Sequence, residues 1–109
     1  MSTDSRREKI EALLANDPTD TFLRYSLAME LDKEGKNERS LTALRELIAD
    51  QPPYVPAYFM AGQQLARLDR SDEACGVLRE GIDQARSQGE THAAGEMREF
   101  LAGLDRLDP

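Results

Sequence analysis

Apolar residues recur at helical spacing along the chain, in segments divided by short polar turns. Two neighbouring segments carry leucine or isoleucine at intervals typical of one helix face: Leu23, Leu27 and Leu31, then Leu41, Leu44, Leu47 and Ile48. The next two segments repeat the scheme: Ala57, Tyr58, Ala61, Leu65 and Leu68, then Ala74, Val77, Leu78, Ile82 and Ala85. Spacings of three and four place side chains on one side of an α-helix. Because no two-residue alternation competes with this pattern, the sequence predicts an all-α fold.

The turns between these segments carry helix-ending and helix-starting residues. Gly35 suits the left-handed conformation that ends many helices, and Asn37 and Ser71 are predicted to cap the helices that follow them. Ser5 and Glu8 have the spacing of a capping box at the start of an earlier helix. Each pair of segments is therefore predicted to form a helical hairpin.

The two hairpins repeat each other with a fixed offset of 34 residues. This offset relates like residues in five pairs: Ala28 and Gly62, Leu31 and Leu65, Ser40 and Ala74, Leu44 and Leu78, Ile48 and Ile82. Counted back by 34 from Leu44, Leu47, Ile48 and Pro52, the same offset reaches Ile10, Leu13, Leu14 and Pro18. The register thus extends through three copies.

In this period and in its small and bulky positions, the chain resembles the tetratricopeptide repeat family. The positions that carry the resemblance are Ala28, Ser40, Leu44, Pro52, Tyr58, Gly62, Ala74 and Leu78. The chain departs from the family pattern at Arg24, where an aromatic residue is expected, at Arg86, which replaces the closing proline, and at Leu47 and Gly81, which replace alanine. The resemblance implies antiparallel helical hairpins stacked as a short right-handed solenoid of about six helices.

A solenoid buries its faces only by stacking, so half repeats are needed to cover its ends. We predict a single domain, 1–109, with a half repeat at 5–17, full repeats at 18–51 and 52–87, and a capping helix at 90–107. The last segment carries one apolar stripe, consisting of Met97, Phe100, Leu101 and Leu104. It is predicted to close the end of the solenoid.

Charge and composition narrow the classes of partner. Acidic residues outnumber basic ones by 21 to 14, a net charge of -7, which repels nucleic acid and anionic lipid surfaces. The longest uncharged stretch, 51–66, is shorter than a membrane-spanning helix and contains prolines. The absence of an apolar signal segment and the single cysteine, Cys75, favour a cytoplasmic protein. A protein or peptide is the predicted partner, with no nucleic acid and no membrane.

The family resemblance also implies where that partner binds, because the first helices of its hairpins line a concave groove. The corresponding residues here are Phe22, Tyr25, Met29 and Lys33, then Phe59, Met60, Gln63 and Arg67. The basic clamp with which some members hold a carboxylate is missing, since its stripe reads Tyr25, Met29, Phe59 and Gln63. Apolar contact with Lys33 and Arg67 at the rim is therefore expected. The alternative is that these large side chains pack against neighbouring helices.

Catalysis has little support in the sequence. His92 and Cys75 are the only histidine and cysteine, and a thiol nucleophile needs both held together with an orienting group. His92 and Glu96 lie one helical turn apart, but a zinc site usually has three or four ligands. We expect no cofactor, no metal and no enzyme activity. The predicted function is a non-catalytic adaptor; a homodimer that closes through the same surface and a small metal protein using His92 are the alternatives.

Overall fold

The structure is a computed structural model that describes residues 5–107 of the chain. Six α-helices and no strand occur in these residues: α1 Arg6–Asn16, α2 Thr21–Lys33, α3 Asn37–Ile48, α4 Val55–Arg67, α5 Ser71–Ser87 and α6 Thr91–Leu107. Each helix packs mainly against its neighbours in the chain, and α4 also contacts α6. The molecule measures 52 × 30 × 19 Å, the elongated shape of hairpins stacked in a row. The prediction of an all-α solenoid with about six helices is confirmed.

Side chains cap the first two helices. The Ser5 hydroxyl accepts a hydrogen bond from the Glu8 backbone N–H at 3.1 Å, and the Glu8 carboxylate accepts from the Ser5 N–H at 3.0 Å. This is the predicted capping box. At α2, the Asp20 carboxylate accepts from the Leu23 N–H at 2.8 Å. These bonds satisfy backbone donors that have no partner inside the helix.

The predicted caps at Asn37 and Ser71 are wrong. Both are the first helical residues of α3 and α5, and neither helix has a side-chain cap bond. The reason lies in the preceding turn, where Gly35 and Asp69 take positive φ angles of 77° and 62°. Each turn folds back onto the helix it ends. Lys36 and Arg70, rather than Asn37 and Ser71, therefore stand at the boundary of the helix that follows.

The turns that follow α2, α4 and α5 share this geometry. In each, a backbone N–H beyond the turn donates to a carbonyl five residues earlier: Lys36 to Leu31 at 2.9 Å, Arg70 to Leu65 at 2.9 Å, and Glu90 to Ala85 at 2.7 Å. This bond satisfies a terminal carbonyl in the Schellman motif. The second turn uses Asp69 where the first uses Gly35, because aspartate is one of the few other residues that tolerate a positive φ.

Two buried clusters form the core between α2 and α6. One buried cluster joins α2, α3, α4 and α5: Ala28, Leu41, Leu44, Leu47, Ala57, Ala61, Leu65 and Ala74. A second joins α4, α5 and α6: Val55, Tyr58, Leu78, Ile82, Ala85, Ala94 and Met97. Among the residues that carry the repeat resemblance, Pro52 alone is exposed, and the other seven are buried.

Two glycines mark places where helices approach too closely for a side chain. A Cβ atom on Gly62 of α4 would lie 2.6 Å from Cδ2 of Leu78 on α5. A Cβ atom on Gly81 of α5 would lie 2.5 Å from Cβ of Tyr58 and 2.7 Å from Sδ of Met97. Gly81 therefore stands where the family has alanine because Tyr58 of α4 and Met97 of α6 occupy the space that the methyl group would need.

A buried polar network ties three helices together. The Ser40 hydroxyl on α3 donates to the Ala28 carbonyl on α2 at 2.7 Å, and the Gln64 amide on α4 donates to Ser40 Oγ at 3.0 Å. The exposed fractions of Ser40 and Gln64 are 0% and 1%. Within the described part of the chain, Gln64 Oε1 is buried without a hydrogen-bond partner. The network joins the first hairpin to the second, but Gln64 is only half satisfied.

The close contact at Gly81 yields a stability prediction. We expect Gly81→Ala to lower the free energy of unfolding by about 1–3 kcal/mol, because overpacking a dense core forces its neighbours apart. Gly76→Ala on the same helix is the matched control. A Cβ there meets nothing within 4 Å, so alanine should raise stability by about 0.5–1 kcal/mol. Urea unfolding followed by circular dichroism measures both, and equal stability of the two variants would contradict the close contact.

The buried network yields a second prediction. Ser40→Ala leaves the Gln64 amide buried without an acceptor and should cost about 1–3 kcal/mol. Gln64→Met removes the unpaired oxygen together with the amide and should cost less. In the Ser40→Ala/Gln64→Met double variant, we expect less destabilisation than the sum of the single changes, because the orphaned amide is gone. Additive free energies from urea unfolding would show that the two side chains do not interact.

Candidate functional site

Helices α2, α4 and α6 together form an open surface on one side of the stack. We call this surface the trough, and define it by the residues that line its two cavities. The side chains concerned lie three or four residues apart along α4 and α6, so each helix contributes one row. The trough is therefore a consequence of helix geometry rather than of a loop.

The first cavity, here the Tyr25 cavity, has a volume of about 150 Å³. Its lining residues come from all three helices: Tyr25, Val55, Pro56, Phe59, Met60, Gln63, Ala93, Glu96 and Met97. Val55 and Met97 are buried and close the cavity toward the core. Glu96 is its one charged lining residue.

The second cavity, here the Leu104 cavity, is larger, with a volume of about 510 Å³. It is lined by Gln63, Ala66, Arg67, Phe100 and Leu104. Gln63 lines both cavities, so they adjoin along α4. The trough thus consists of a small apolar cavity and a broader apolar depression with one glutamine between them.

The structure brings together five of the eight residues predicted for the groove. Tyr25, Phe59, Met60, Gln63 and Arg67 line the two cavities. The other three, Phe22, Met29 and Lys33, lie on α2 and line neither cavity. Phe22 is 70% exposed near the start of α2. The trough therefore runs across α4 and α6 more than along α2.

Each of the two trough aromatics packs edge-on against a second ring. Tyr25 meets Tyr54 with ring centroids 5.4 Å apart and planes at 68°, and Phe59 meets Phe100 at 5.8 Å and 67°. Such T-shaped pairs are the arrangement that aromatic quadrupoles favour. Tyr25 and Phe59 are only partly buried. Their rings are held by neighbours while one side remains accessible.

The two basic residues expected at the rim are both paired with acids of α2. Arg67 Nη2 lies 2.7 Å from Asp32 Oδ2, and Lys33 Nζ lies 3.1 Å from Glu30 Oε2. Glu30 also lies 3.4 Å from Arg6 Nε of α1. The positive charge of Arg67 at the Leu104 cavity is therefore compensated within the protein.

Helix α6 contributes residues to the trough that the sequence did not predict for it: Ala93, Glu96, Met97, Phe100 and Leu104. The apolar stripe of this segment predicts only a closing surface. The signal that could have identified it is the alternation of helices: after two hairpins, the next helix takes the place of a first helix. In such a helix, one row packs on the core and an adjacent row faces the groove.

The other candidate residues, His92 and Cys75, lie on different helices. No group of three or more His, Cys, Asp or Glu side chains positioned to hold a metal occurs in residues 5–107. His92 Nε2 lies 3.6 Å from Glu96 Oε1 on an exposed turn of α6, while Cys75 is a half-buried residue of α5. None of the helices in the described range is long and apolar enough to cross a membrane.

Burial raises the pKa of the Tyr25 hydroxyl, and the nearby Tyr54 phenol raises it further. A folded-state pKa above the unfolded value means that the fold loses stability as pH rises through it. We therefore expect Tyr25→Phe to lose less stability than the natural chain between about pH 9 and pH 11. Urea unfolding at both pH values measures the difference. A parallel loss in both chains would show that Tyr25 titrates as it does when unfolded.

Solved structures of other proteins resemble this chain. A tetratricopeptide repeat domain protein from Salinibacter ruber, determined in solution, is 34% identical with a TM-score of 0.78, over 84% of this chain and 92% of its own. A crystal structure of such a domain protein from the same organism gives 34% identity and a TM-score of 0.74, over 82% and 99%. A Bordetella parapertussis protein is 25% identical with a TM-score of 0.83, over 97% and 92%. No family model matches the chain, and no curated protein does.

The identity to the Salinibacter domain extends over most of both chains, and the folds coincide over the same residues. The 34-residue register, the seven buried positions of the repeat pattern and the stacked hairpins agree with it. The chain belongs to the tetratricopeptide repeat family.

Proposed function

We propose that the protein is a non-catalytic adaptor that binds a segment of a partner polypeptide in the trough formed by α2, α4 and α6. The observation that carries the proposal is the pair of adjoining apolar cavities on one accessible surface. Membership of a family of helical-repeat interaction folds supports it in general terms. A cytoplasmic site fits the single cysteine of the sequence.

The lining of the trough suits a polypeptide ligand. Partly buried aromatic rings give a large contact area at low entropic cost, and Met60 adapts to different apolar shapes. Gln63 lies between the cavities and is partly buried. Its amide offers one acceptor and two donors, the groups that a peptide backbone needs.

Self-association is the second candidate, because two large apolar side chains are exposed at the other end of the stack. Leu13 of α1 is 55% exposed and Phe22 of α2 is 70% exposed. A homodimer would cover this end or the trough itself. Sedimentation over a hundredfold concentration range separates the candidates, since a dimer changes mass with concentration and a monomeric adaptor does not.

Removal of the trough aromatics tests the adaptor function. We expect Tyr25→Ala/Phe59→Ala to weaken binding of the natural partner about tenfold or more, since buried aromatic anchors dominate most interfaces. Leu13→Ala is the matched control: it removes an exposed apolar side chain from α1 and should leave binding unchanged. Affinity capture with the three chains identifies the partner, and calorimetry with the purified partner gives the affinities. Circular dichroism verifies that each variant stays helical.

The proposal is overturned if the double variant remains helical and binds every captured partner as tightly as the natural chain. Loss of binding in the Leu13 variant alone would place the interface at the α1 end instead.

A further inference from the structure

We infer that the Tyr25 cavity receives a single apolar side chain of an extended peptide, and that Glu96 pairs with a lysine or arginine adjacent to that side chain. The inference rests on the proposed function, because it specifies the chemistry of the segment that the trough binds. It depends on the size of the cavity, the placement of Gln63 and the charge on each side of the trough.

The size of the Tyr25 cavity sets how much of a ligand can enter it. Its volume is about 150 Å³, and an apolar cavity of about this volume can take a benzene-sized molecule. That corresponds to one leucine, isoleucine, methionine or phenylalanine side chain. An amphipathic helix would need room for several anchors along one face. The cavity therefore favours an extended segment that inserts one residue.

Gln63 supports the same geometry. Its side chain lines both cavities, so a segment that passes from one cavity to the other crosses it. An extended backbone has unpaired N–H and C=O groups, whereas those of a helix are bonded internally. The Gln63 amide can accept from one and donate to the other.

Charge distinguishes the two ends of the trough. Arg67 at the Leu104 cavity is already paired with Asp32 at 2.7 Å. Glu96 at the Tyr25 cavity forms no ion pair with a lysine or arginine in the described part of the chain, and the one ion-pair partner within reach there is His92, at 3.6 Å. That ring is charged only when it is protonated, and its side chain is 92% exposed. An uncompensated carboxylate therefore lies beside an apolar cavity.

The wider charge of the protein acts in the same direction. A net charge of -7 attracts a cationic segment and repels an acidic one. The side chain of Glu96 is 50% exposed, so it reaches solvent and can meet a ligand at the cavity mouth. The partner that fits both features is an extended peptide in which one apolar residue has a basic neighbour.

The test is selection of 12-residue peptides from a random display library on the intact protein, followed by affinity measurement of the enriched peptides. We expect these peptides to combine one large apolar residue with a lysine or arginine. Glu96→Gln should weaken their binding about two- to fivefold, the range of an exposed ion pair. Glu96→Lys should shift selection toward acidic neighbours.

Glu99→Gln is the matched control. Glu99 is an exposed carboxylate on the same helix, but it does not line the Tyr25 cavity. Its removal changes the net charge of the protein by the same amount, so it should leave the affinity unchanged. Equal effects of the two substitutions would assign the preference to overall charge and overturn the role of Glu96.

The other outcomes separate this inference from the proposed function. Phe59→Ala and Gln63→Ala show whether an enriched peptide occupies the trough, and the second of these leaves the aromatic packing intact. If binding of the enriched peptides depends on Phe59 and Gln63, but the peptides show no preference for lysine or arginine, the inference is overturned and the adaptor function is kept. If no enriched peptide depends on either residue, both proposals fail.

Discussion

The close crossing of the two helices in each hairpin is the constraint on which the rest of the structure depends. In the second hairpin, α4 passes so near Leu78 of α5 that a Cβ on Gly62 would lie 2.6 Å from that side chain. In the first hairpin, Ala28 holds the equivalent place, and its carbonyl accepts a hydrogen bond from Ser40 at 2.7 Å. Small residues at these crossings let a bulky side chain rest against the opposite backbone, which fixes the register of one helix against the other. Gly81 extends the constraint to α6, because Met97 occupies the space beside it.

The trough follows from this packing. Once one face of a helix is committed to its hairpin partner, the residues three and four positions away form a second row that faces outward. Helices α4 and α6 bring their second rows together, and α2 adds Tyr25. Helix α6 brings Phe100 opposite Phe59 of α4, with ring centroids 5.8 Å apart. A helix that closes the core thus also completes the trough.

The sequence predicted those features that repeat and could not predict those that depend on a particular backbone angle or side-chain direction. The 34-residue offset predicted the hairpins, and seven of its eight marker residues are buried. Asn37 and Ser71 were mistaken for caps because both have the composition of a cap, whereas the boundary is set by the positive φ angles of Gly35 and Asp69. The ion pair of Arg67 with Asp32 spans 35 residues, and only the folded stack shows that it compensates a predicted rim charge. The same stripe on α6 could pack on the core or face the trough, and periodicity alone does not separate those roles.

The aromatic side chains of the trough pack against other rings in the structure without a ligand. Tyr25 and Phe59 are each held at one edge by another ring, so binding would immobilise few additional rotamers. Ordering a flexible side chain at an interface costs roughly 0.5–1.5 kcal/mol, and a pre-organised surface avoids most of that cost. In the proposed complex, the apolar lining would bind most large apolar side chains and would therefore discriminate little between ligand sequences. If the trough binds a peptide as proposed, discrimination between ligands would come from its polar lining groups, among them the amide of Gln63 and the carboxylate of Glu96.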